Sequence, residues 1–383
     1  MDTTFFALND PDILQSDLDA VAETLCSPRL SMGVRVEEFE QEFAAFIGRK
    51  HAVAVGSGTL GLLLALRAMG IGPGDEVVAP SHSYREITHA IALSGAKPVF
   101  ADIDYWAGTL APDKAAAKIT DKTRAIVAGN SNGHPAAWDE LRALATSHGL
   151  SLLEDSSEAI GSTYKGRPVG SFGDCAVFDF SQPGALACGE GGMVVTDNDD
   201  TASMLRRLRA RKPQERSSVV LGGFLPLQAG MSDIAATLGL AQLRRIELLL
   251  ARRKRVERWY DEYVAAFEGI KPPYIAPDVE NVHWFTFVVH LGTRFSRSSR
   301  DAIIEDLEKE KIEAQPYSAP LHLQRFYFDL GCRKGDLFVT EKVADRAVSL
   351  PFHAHLSEEQ IAFIVGTMKD ASINIGAGTA IYL

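Results

Sequence analysis

The sequence predicts an α/β protein in three layers (αβα), with helices on both faces of a mostly parallel sheet, followed by a smaller C-terminal α+β domain. Two observations predict this class. Short runs of apolar, often β-branched residues recur along the chain, each bounded by Gly, Pro, Asp or Ser. Segments with helical spacing of apolar residues separate these runs. Strands that are apolar on both faces and joined by helices are typical of a parallel sheet.

The first part of the chain contains the segments that predict the sheet. Five of them have the composition of buried strands: residues 51–58, 75–81, 97–103, 124–130 and 150–156. Four helical patterns lie between or beside them: residues 60–70, 85–95, 112–120 and 138–149. Ligands of parallel sheets bind at the carboxyl ends of the strands, so the polar residues that follow each apolar run are the candidate site residues.

The second part of the chain predicts a different unit. Residues 232–268 have a continuous apolar face and predict one long helix. After Gly269 the pattern predicts a strand over 283–292, a charged helix over 297–311 and a last helix near 357–371. We therefore expect a large domain over residues 1–250 and a small domain over residues 251–383.

Composition excludes several classes of function. The 383 residues include 39 Lys and Arg against 50 Asp and Glu, a net charge of −11, which argues against nucleic acid or an anionic membrane as a partner. No apolar run reaches the roughly 20 residues that a membrane helix needs, and the N-terminus lacks a secretory signal pattern. The four cysteines have no paired spacing, which is typical of a reducing compartment. A cytoplasmic enzyme with a small-molecule substrate is the expectation.

Two polar features follow predicted strands, and each has two interpretations. Gly56-Ser57-Gly58-Thr59 leaves a strand and begins a helix, so its amides could hold an anion, or it could be only a tight connection. It lacks the Gly-Lys-Ser/Thr of a P-loop. Asp155 could face a ligand at the end of its strand, or it could cap a helix in a capping box with Glu158.

Longer motifs run through nearly the whole chain in a specific order. They include SMGVRVEEFEQEFAAF (31–46), GSGTLGLLLAL (56–66), GPGDEVVAPSHSY (72–84), GAKPVFADID (95–104), LLEDSSEAIGSTYKGRPVGSFGDCAVFDFS (152–181), GEGGMVVTDN (189–198) and SLPFHAHLSEEQI (349–361). Together they resemble the DegT/DnrJ/StrS-type sugar aminotransferases, a family of the fold-type-I superfamily that uses pyridoxal phosphate (PLP). The resemblance implies an aspartate-aminotransferase-like fold, a seven-stranded sheet and a homodimer with shared active sites, working in biosynthesis or secondary metabolism.

The resemblance also implies roles for individual residues. Gly58 and Thr59 match the positions whose amides meet the cofactor phosphate. Tyr84 matches the aromatic residue that stacks on the pyridine ring, and Asp155 matches the carboxylate that pairs with the ring nitrogen. Glu158 stands where the family usually has Gln or His, near the cofactor hydroxyl.

Two further motifs depart from the family pattern. In Phe178-Asp179-Phe180-Ser181-Gln182-Pro183-Gly184, the match implies that Gly184 replaces the Schiff-base lysine and that Asp179 replaces a phosphate-binding serine. Gln228-Ala229-Gly230-Met231 stands for the partner-subunit motif Asn-x-Arg-Met. Glycine can neither bind the cofactor covalently nor carry a proton. Several changes around one pocket indicate natural loss rather than one engineered substitution.

The leading hypothesis from sequence is PLP-independent acid–base or addition–elimination chemistry on a sugar-like or amino-bearing metabolite, with Asp155, Glu158 and Asp179 as catalytic groups. His82, Gly184, Cys188 and Gln228 are expected in the substrate pocket, although Cys188 could instead be a small core residue. No metal site is expected, because no ligand spacing is recognisable. Two alternatives remain: an aminotransferase or dehydratase that binds PLP or pyridoxamine phosphate (PMP) noncovalently, and a non-catalytic partner of an active homologue.

Overall fold

The computed structural model describes residues 5–83, 85–181, 184–210, 225–265, 267 and 269–380. Its main sheet has seven strands in the order β1-β9-β8-β5-β4-β2-β3. The strands are β1 (His51–Val55), β2 (Glu76–Pro80), β3 (Lys97–Ala101), β4 (Thr123–Gly129), β5 (Ser151–Asp155), β8 (Cys175–Asp179) and β9 (Gly192–Thr196). Only β9 runs antiparallel to its neighbours, β1 and β8, so the prediction of a mostly parallel sheet is confirmed. A two-stranded ribbon, β6 (Thr163–Tyr164) and β7 (Arg167–Pro168), lies between β5 and β8 in the chain.

Helices cover both faces of this sheet, as the alternating apolar residues require. The helices of the large unit are α1 (Gln15–Leu25), α2 (Val34–Ile47), α3 (Gly58–Ala68), α4 (Arg85–Ser94), α5 (Pro112–Ala116), α6 (Trp138–His148), α7 (Asp199–Arg209) and α8 (Asp233–Leu243). In β1, Val53 and Val55 belong to the core beneath α3, whereas Ala52 and Ala54 belong to the core beneath α2 and α8. Both faces of the strand are therefore buried, and the three layers predicted from sequence are present.

The prediction of one long helix over residues 232–268 is wrong. Two helices, α8 and α9 (Ile246–Ala265), replace it, with a turn at Arg244 and Arg245. The guanidinium of Arg245 binds the carboxylates of Asp12 and Asp17 on the N-terminal segment, and Arg244 pairs with Glu42 of α2. The turn lets α8 pack on α1 and α2 while α9 packs on the C-terminal helix, which one straight helix could not do.

A second, four-stranded sheet forms the core of the C-terminal part. Its order is β10-β11-β13-β12, all antiparallel, with the strands β10 (Ile270–Lys271), β11 (Phe287–Leu291), β12 (Gln315–Pro316) and β13 (Ala347–Leu350). Its helices are α10 (Arg297–Lys309), α11 (Arg325–Asp329), α12 (Phe338–Ala344) and α13 (Glu358–Ala380). The strand predicted over 283–292 thus begins only at Phe287. No helix in the described part of the chain is long and apolar enough to span a bilayer.

The expected domain boundary at residue 250 falls within α9. Leu249 and Leu250 near the start of α9 pack in the core of the large unit, whereas Val256, Tyr260 and Val264 pack in the core that includes the second sheet. The helix therefore connects the two cores, and the exact boundary stays a prediction.

Candidate active site

Asp155 lies at the carboxyl end of the central strand β5, where ligands of such sheets bind. Its Oδ1 accepts hydrogen bonds from the backbone N–H of Ser157 (2.9 Å) and the Ser157 hydroxyl (2.5 Å). Burial raises the pKa of Asp155 to about 6, and the charges of Asp179 and Glu154 act in the same direction, while the bonds from Ser157 oppose them. The carboxyl group is therefore poised between its two protonation states near neutral pH.

The helix-cap interpretation of Asp155 and Glu158 is wrong, because turns follow β5 and the next element of the chain is the strand β6, not a helix. Glu158 instead reaches across the edge of the sheet. Its Oε2 accepts bonds from the backbone N–H of Asn132 (2.7 Å) and from the phenol of Tyr317 (2.5 Å), which follows β12 in the C-terminal sheet. Burial raises the pKa of Tyr317 well above its ordinary value, and the charge of Glu158 adds to this effect, so the phenol keeps its proton.

Asp179 ends β8, and its carboxylate points at the first turn of α3. Oδ2 accepts the backbone N–H of Gly58 at 2.6 Å, and Oδ1 accepts the backbone N–H (2.9 Å) and the hydroxyl of Ser181. A Cβ on Gly58 would lie 2.7 Å from the Cβ of Asp179, so only glycine fits there. The Asp179 N–H donates to Ser157 Oγ (3.0 Å), which connects this group to Asp155.

Three cavities that share lining residues lie in this region. The first is lined by His82, Ser83, Gly129, Asn130, Ser131, Asp155 and Glu158. The second shares Glu158 with it and continues past Gly184 to Trp284 and Phe285. The third shares His82 and Ser131 with the first and is bounded outside by the aromatic side chains of Tyr105, Trp106 and Tyr274, with Tyr317 at its inner end. Within the described part of the chain, no lysine lines any of the three.

The histidines of these cavities are neutral. Burial lowers the pKa of His82, although the Gly108 and Tyr317 carbonyls beside its two ring nitrogens oppose this effect. Burial likewise lowers the pKa of His134, whose Nδ1 donates to the Pro135 carbonyl (2.8 Å) while Nε2 accepts the Ala276 N–H (3.1 Å). These rings supply hydrogen-bonding and aromatic surface rather than positive charge.

The remaining predicted site residues have different locations. Gly184 lies on a cavity wall, where a Cβ would stand 3.2 Å from the ring of Phe285. Cys188 lies instead in the apolar core beside Phe39, and burial raises its thiol pKa further above the ordinary value, so its assignment to the substrate pocket is corrected. Gln228 is exposed on this single subunit and has a φ of 52°, while Thr59 is the second residue of α3. Tyr84 lies outside the described residues.

Sequence reasoning missed three residues that shape the site. Glu154 is fully buried next to Asp155 on the opposite face of β5, and its carboxylate accepts three hydrogen bonds from backbone N–H groups. Tyr317 is separated from Glu158 by 159 positions, so no local pattern could pair them. Ser157 was detectable, because a hydroxyl two residues after a strand-ending Asp commonly bonds to that carboxylate.

Comparison with known proteins identifies the scaffold. The sequence profile of the DegT/DnrJ/EryC1/StrS aminotransferase family matches residues 11–369. The chain belongs to this family. GDP-perosamine synthase of Caulobacter vibrioides is 38% identical over 346 residues, which cover 90% of this chain and 91% of that protein. The spore coat polysaccharide biosynthesis protein SpsC of Bacillus subtilis is 33% identical over 96% of this chain and 97% of its own length.

Solved structures agree with this assignment. Spr1654 of Streptococcus pneumoniae, named as a sugar aminotransferase and solved in its PMP form, superimposes with a TM-score of 0.92 at 26% identity, over 98% of this chain and 100% of that one. Its PLP form gives a TM-score of 0.91 at 27% identity, over 97% and 100%. The seven-stranded fold is therefore that of PLP-type aminotransferases, as predicted. These relatives support the PLP- or PMP-dependent alternative better than the PLP-independent hypothesis.

The raised pKa of Asp155 makes a testable prediction about stability. In the unfolded chain this carboxyl ionises near its ordinary value of 3.8, but in the folded protein it ionises only near 6, so ionisation costs the folded state stability as the pH rises between these values. We expect Asp155→Asn to raise the midpoint of thermal unfolding of the ligand-free protein at pH 8 and to leave it nearly unchanged at pH 4.

Asp12 provides a matched control, because its replacement should shift the unfolding midpoint in the opposite direction. Asp12 is buried, which opposes its ionisation, but bonds to Arg252 and Arg245 outweigh burial and hold its pKa below the ordinary value. Asp12→Asn should therefore lower the unfolding midpoint at pH 8, and the loss should shrink as the pH falls. A midpoint shift in Asp155→Asn that is the same at every pH would contradict ionisation of Asp155 as its cause.

Proposed function

We propose that this protein is an enzyme of sugar biosynthesis that modifies a sugar-like metabolite with PLP or PMP held noncovalently. The observation that carries the proposal is the buried Asp155 carboxyl, which lies on the cavity wall at the carboxyl end of β5. The fold is shared with relatives solved in PMP and PLP forms. A bound pyridine ring with a protonated nitrogen withdraws electrons from the substrate carbon that bears or receives the amino group.

Asp155 fits the ring end of such a cofactor. A carboxylate beside the ring nitrogen keeps that nitrogen protonated, and the two bonds from Ser157 fix the carboxylate in place. The cationic ring would in turn favour ionised Asp155, which burial disfavours in the empty cavity. Mutual stabilisation of the two charges therefore supports binding of a ring that carries a proton.

Glu158 and Tyr317 supply the acid–base pair of the chain itself. The Tyr317 phenol donates to Glu158 Oε2 at 2.5 Å and lies 3.3 Å from the hydroxyl of Ser131. A substrate hydroxyl entering from the aromatic side can exchange a proton with this chain of oxygen atoms. Because Tyr317 comes from the C-terminal unit and Glu158 from the large unit, the pair also fixes the width of the cavity.

The outer cavity fits a sugar ring. Trp106 is 58% exposed, and its ring centroid lies 5.0 Å from that of Tyr105 and 6.0 Å from that of Tyr274. Aromatic faces pack against the apolar C–H face of a sugar, while the His82 and Tyr317 groups further in can meet its hydroxyls. The names of the Caulobacter and Bacillus relatives support sugars as the substrate class.

Gly184 favours a second candidate function, the PLP-independent chemistry of the sequence analysis. No amine lines the described cavities, so a covalent bond to the cofactor has no obvious donor there. The absorption spectrum after mixing with PLP distinguishes the candidates. We expect the band of bound PLP to shift, to disappear on dialysis, and to leave no pyridoxyl group on the protein after borohydride reduction.

The outcomes of this experiment are separable. A pyridoxyl-modified lysine found by mass spectrometry after borohydride would contradict noncovalent binding. If neither PLP nor PMP changes the spectrum or the unfolding midpoint, the PLP-independent candidate replaces the proposal. Asp155→Asn serves as the control, and it should weaken binding of both compounds because it removes the charge that pairs with the ring nitrogen.

The aromatic wall makes a separate prediction about substrate binding. Trp106→Ala should weaken binding of GDP-perosamine, used as a probe, about fivefold, since an aromatic stacking contact is worth about 1 kcal/mol. Phe326→Ala is the matched control, because Phe326 is also 58% exposed but does not line the cavities. Calorimetric titration measures both, and equal affinities of the Trp106 variant and the wild type would contradict a role for this wall.

A homodimer with shared active sites stays a prediction that one exposed surface supports. Leu14, Leu18 and Leu25 of the α1 region and the following Leu30 are all between 37% and 54% exposed, which is costly in water. We expect light scattering to give about twice the 41.6 kDa of one chain, and Leu18→Asp with Leu25→Asp to give single chains. A wild-type protein that is a single chain at micromolar concentration would instead favour pairing with a different homologue.

A further inference from the structure

The N-terminus of α3 already holds an anion that belongs to the chain. Asp179 is 7% exposed, and its Oδ2 lies 2.6 Å from the backbone nitrogen of Gly58, the first residue of the helix. Free N–H groups and the helix dipole make such a position favourable for a negative charge. The carboxylate therefore takes the Gly58 N–H, a backbone donor that could otherwise bind an external anion.

Close packing holds the Asp179 carboxylate against the backbone of Gly58. A Cβ built on Gly58 would come within 2.7 Å of the Asp179 Cβ and 2.9 Å of its Oδ2. Oδ1 is held by the N–H and the hydroxyl of Ser181, so both oxygens are engaged. A phosphate group could reach the Gly58 N–H only after the carboxylate had moved away, and the two negative charges would repel each other in this buried setting.

We infer that Asp179 is an internal competitor for the phosphate group of the cofactor, so that this protein recognises the pyridine ring without the usual gain in affinity from the phosphate. The inference rests on the proposed function and deepens it. Asp155 and the cavity wall still bind the ring, while the helix N-terminus, occupied by Asp179, contributes little to phosphate binding. The ligand class it implies is a protonated pyridine whose phosphate is dispensable.

The comparison of PMP with pyridoxamine, which differ only in the phosphate, tests this inference. Fluorescence titration of the wild type should give dissociation constants for the two within about threefold. In Asp179→Ser the carboxylate is removed and a hydroxyl donor is added, so PMP should bind at least tenfold more tightly while pyridoxamine is unchanged. Asp179→Asn keeps the size and removes the charge, and its gain for PMP should lie between the two.

Each outcome decides the question. A wild type that already prefers PMP tenfold, or serine and asparagine variants without any gain for PMP, would overturn the inference. Asp155→Asn should weaken binding of both ligands equally, which distinguishes recognition of the ring from recognition of the phosphate.

If neither ligand binds any variant, the proposed function fails, and inorganic phosphate then tests the inference alone. Phosphate should raise the unfolding midpoint of Asp179→Ser but not of the wild type, and its failure to do so would refute the internal competitor. Asp179→Asn provides the same test should the serine variant not fold.

Discussion

The site depends on the buried carboxylate of Glu154. It has no exposed surface, and it accepts bonds from the Asn130 amide (2.9 Å), the Ser156 hydroxyl (2.9 Å) and the backbone N–H groups of Gly170, Phe172 and Gly173 (2.5, 2.9 and 3.1 Å). Five donors around one carboxylate compensate the cost of burying its charge. They also tie the ends of β4 and β5 to the loop that leads into β8, so the edge of the sheet that forms the cavity has one defined shape.

Asp155, the next residue, has fewer hydrogen-bond donors around its carboxyl, and its ionisation is therefore less well compensated. Side chains alternate across a strand, so Glu154 points into the donor-rich layer and Asp155 points to the cavity. Among the described residues, only Ser157 donates hydrogen bonds to the Asp155 carboxyl, which stands near the negative charges of Asp179 and Glu154. Burial raises its pKa to about 6. The two adjacent carboxyl groups therefore differ in role because they face opposite sides of the sheet. Glu154 stabilises the structure, whereas Asp155 is available to a ligand in the cavity.

Five of the seven strands of the main sheet were predictable from local sequence patterns, whereas β8 and β9 were not. The five apolar runs became β1 to β5, since strands buried on both faces must be apolar throughout. The long helix was mispredicted because its break at Arg244 and Arg245 is set by ion pairs with distant residues, which leave no trace in the apolar periodicity. For the same reason the pairing of Glu158 with Tyr317 was not predictable. The motif order predicts Asp155 and Gly58 as site residues, and Asp155 lines a cavity in the structure.

The departures from the family pattern share one consequence, an excess of acidic side chains around Asp155. Asp155, Glu158 and Asp179 bring three carboxyl groups to one region, and the nearby histidines His82 and His134 are neutral through burial. In the described residues of the single subunit, the cavity that Asp155 lines contains no cationic side chain. Arg253 lines the adjoining cavity that shares Glu158, so the negative charge is concentrated around Asp155. Electrostatic complementarity there favours a ligand that itself carries positive charge, or a proton shared among the carboxyl groups. A protonated pyridine ring or an amino sugar satisfies this requirement, whereas an added phosphate increases the repulsion.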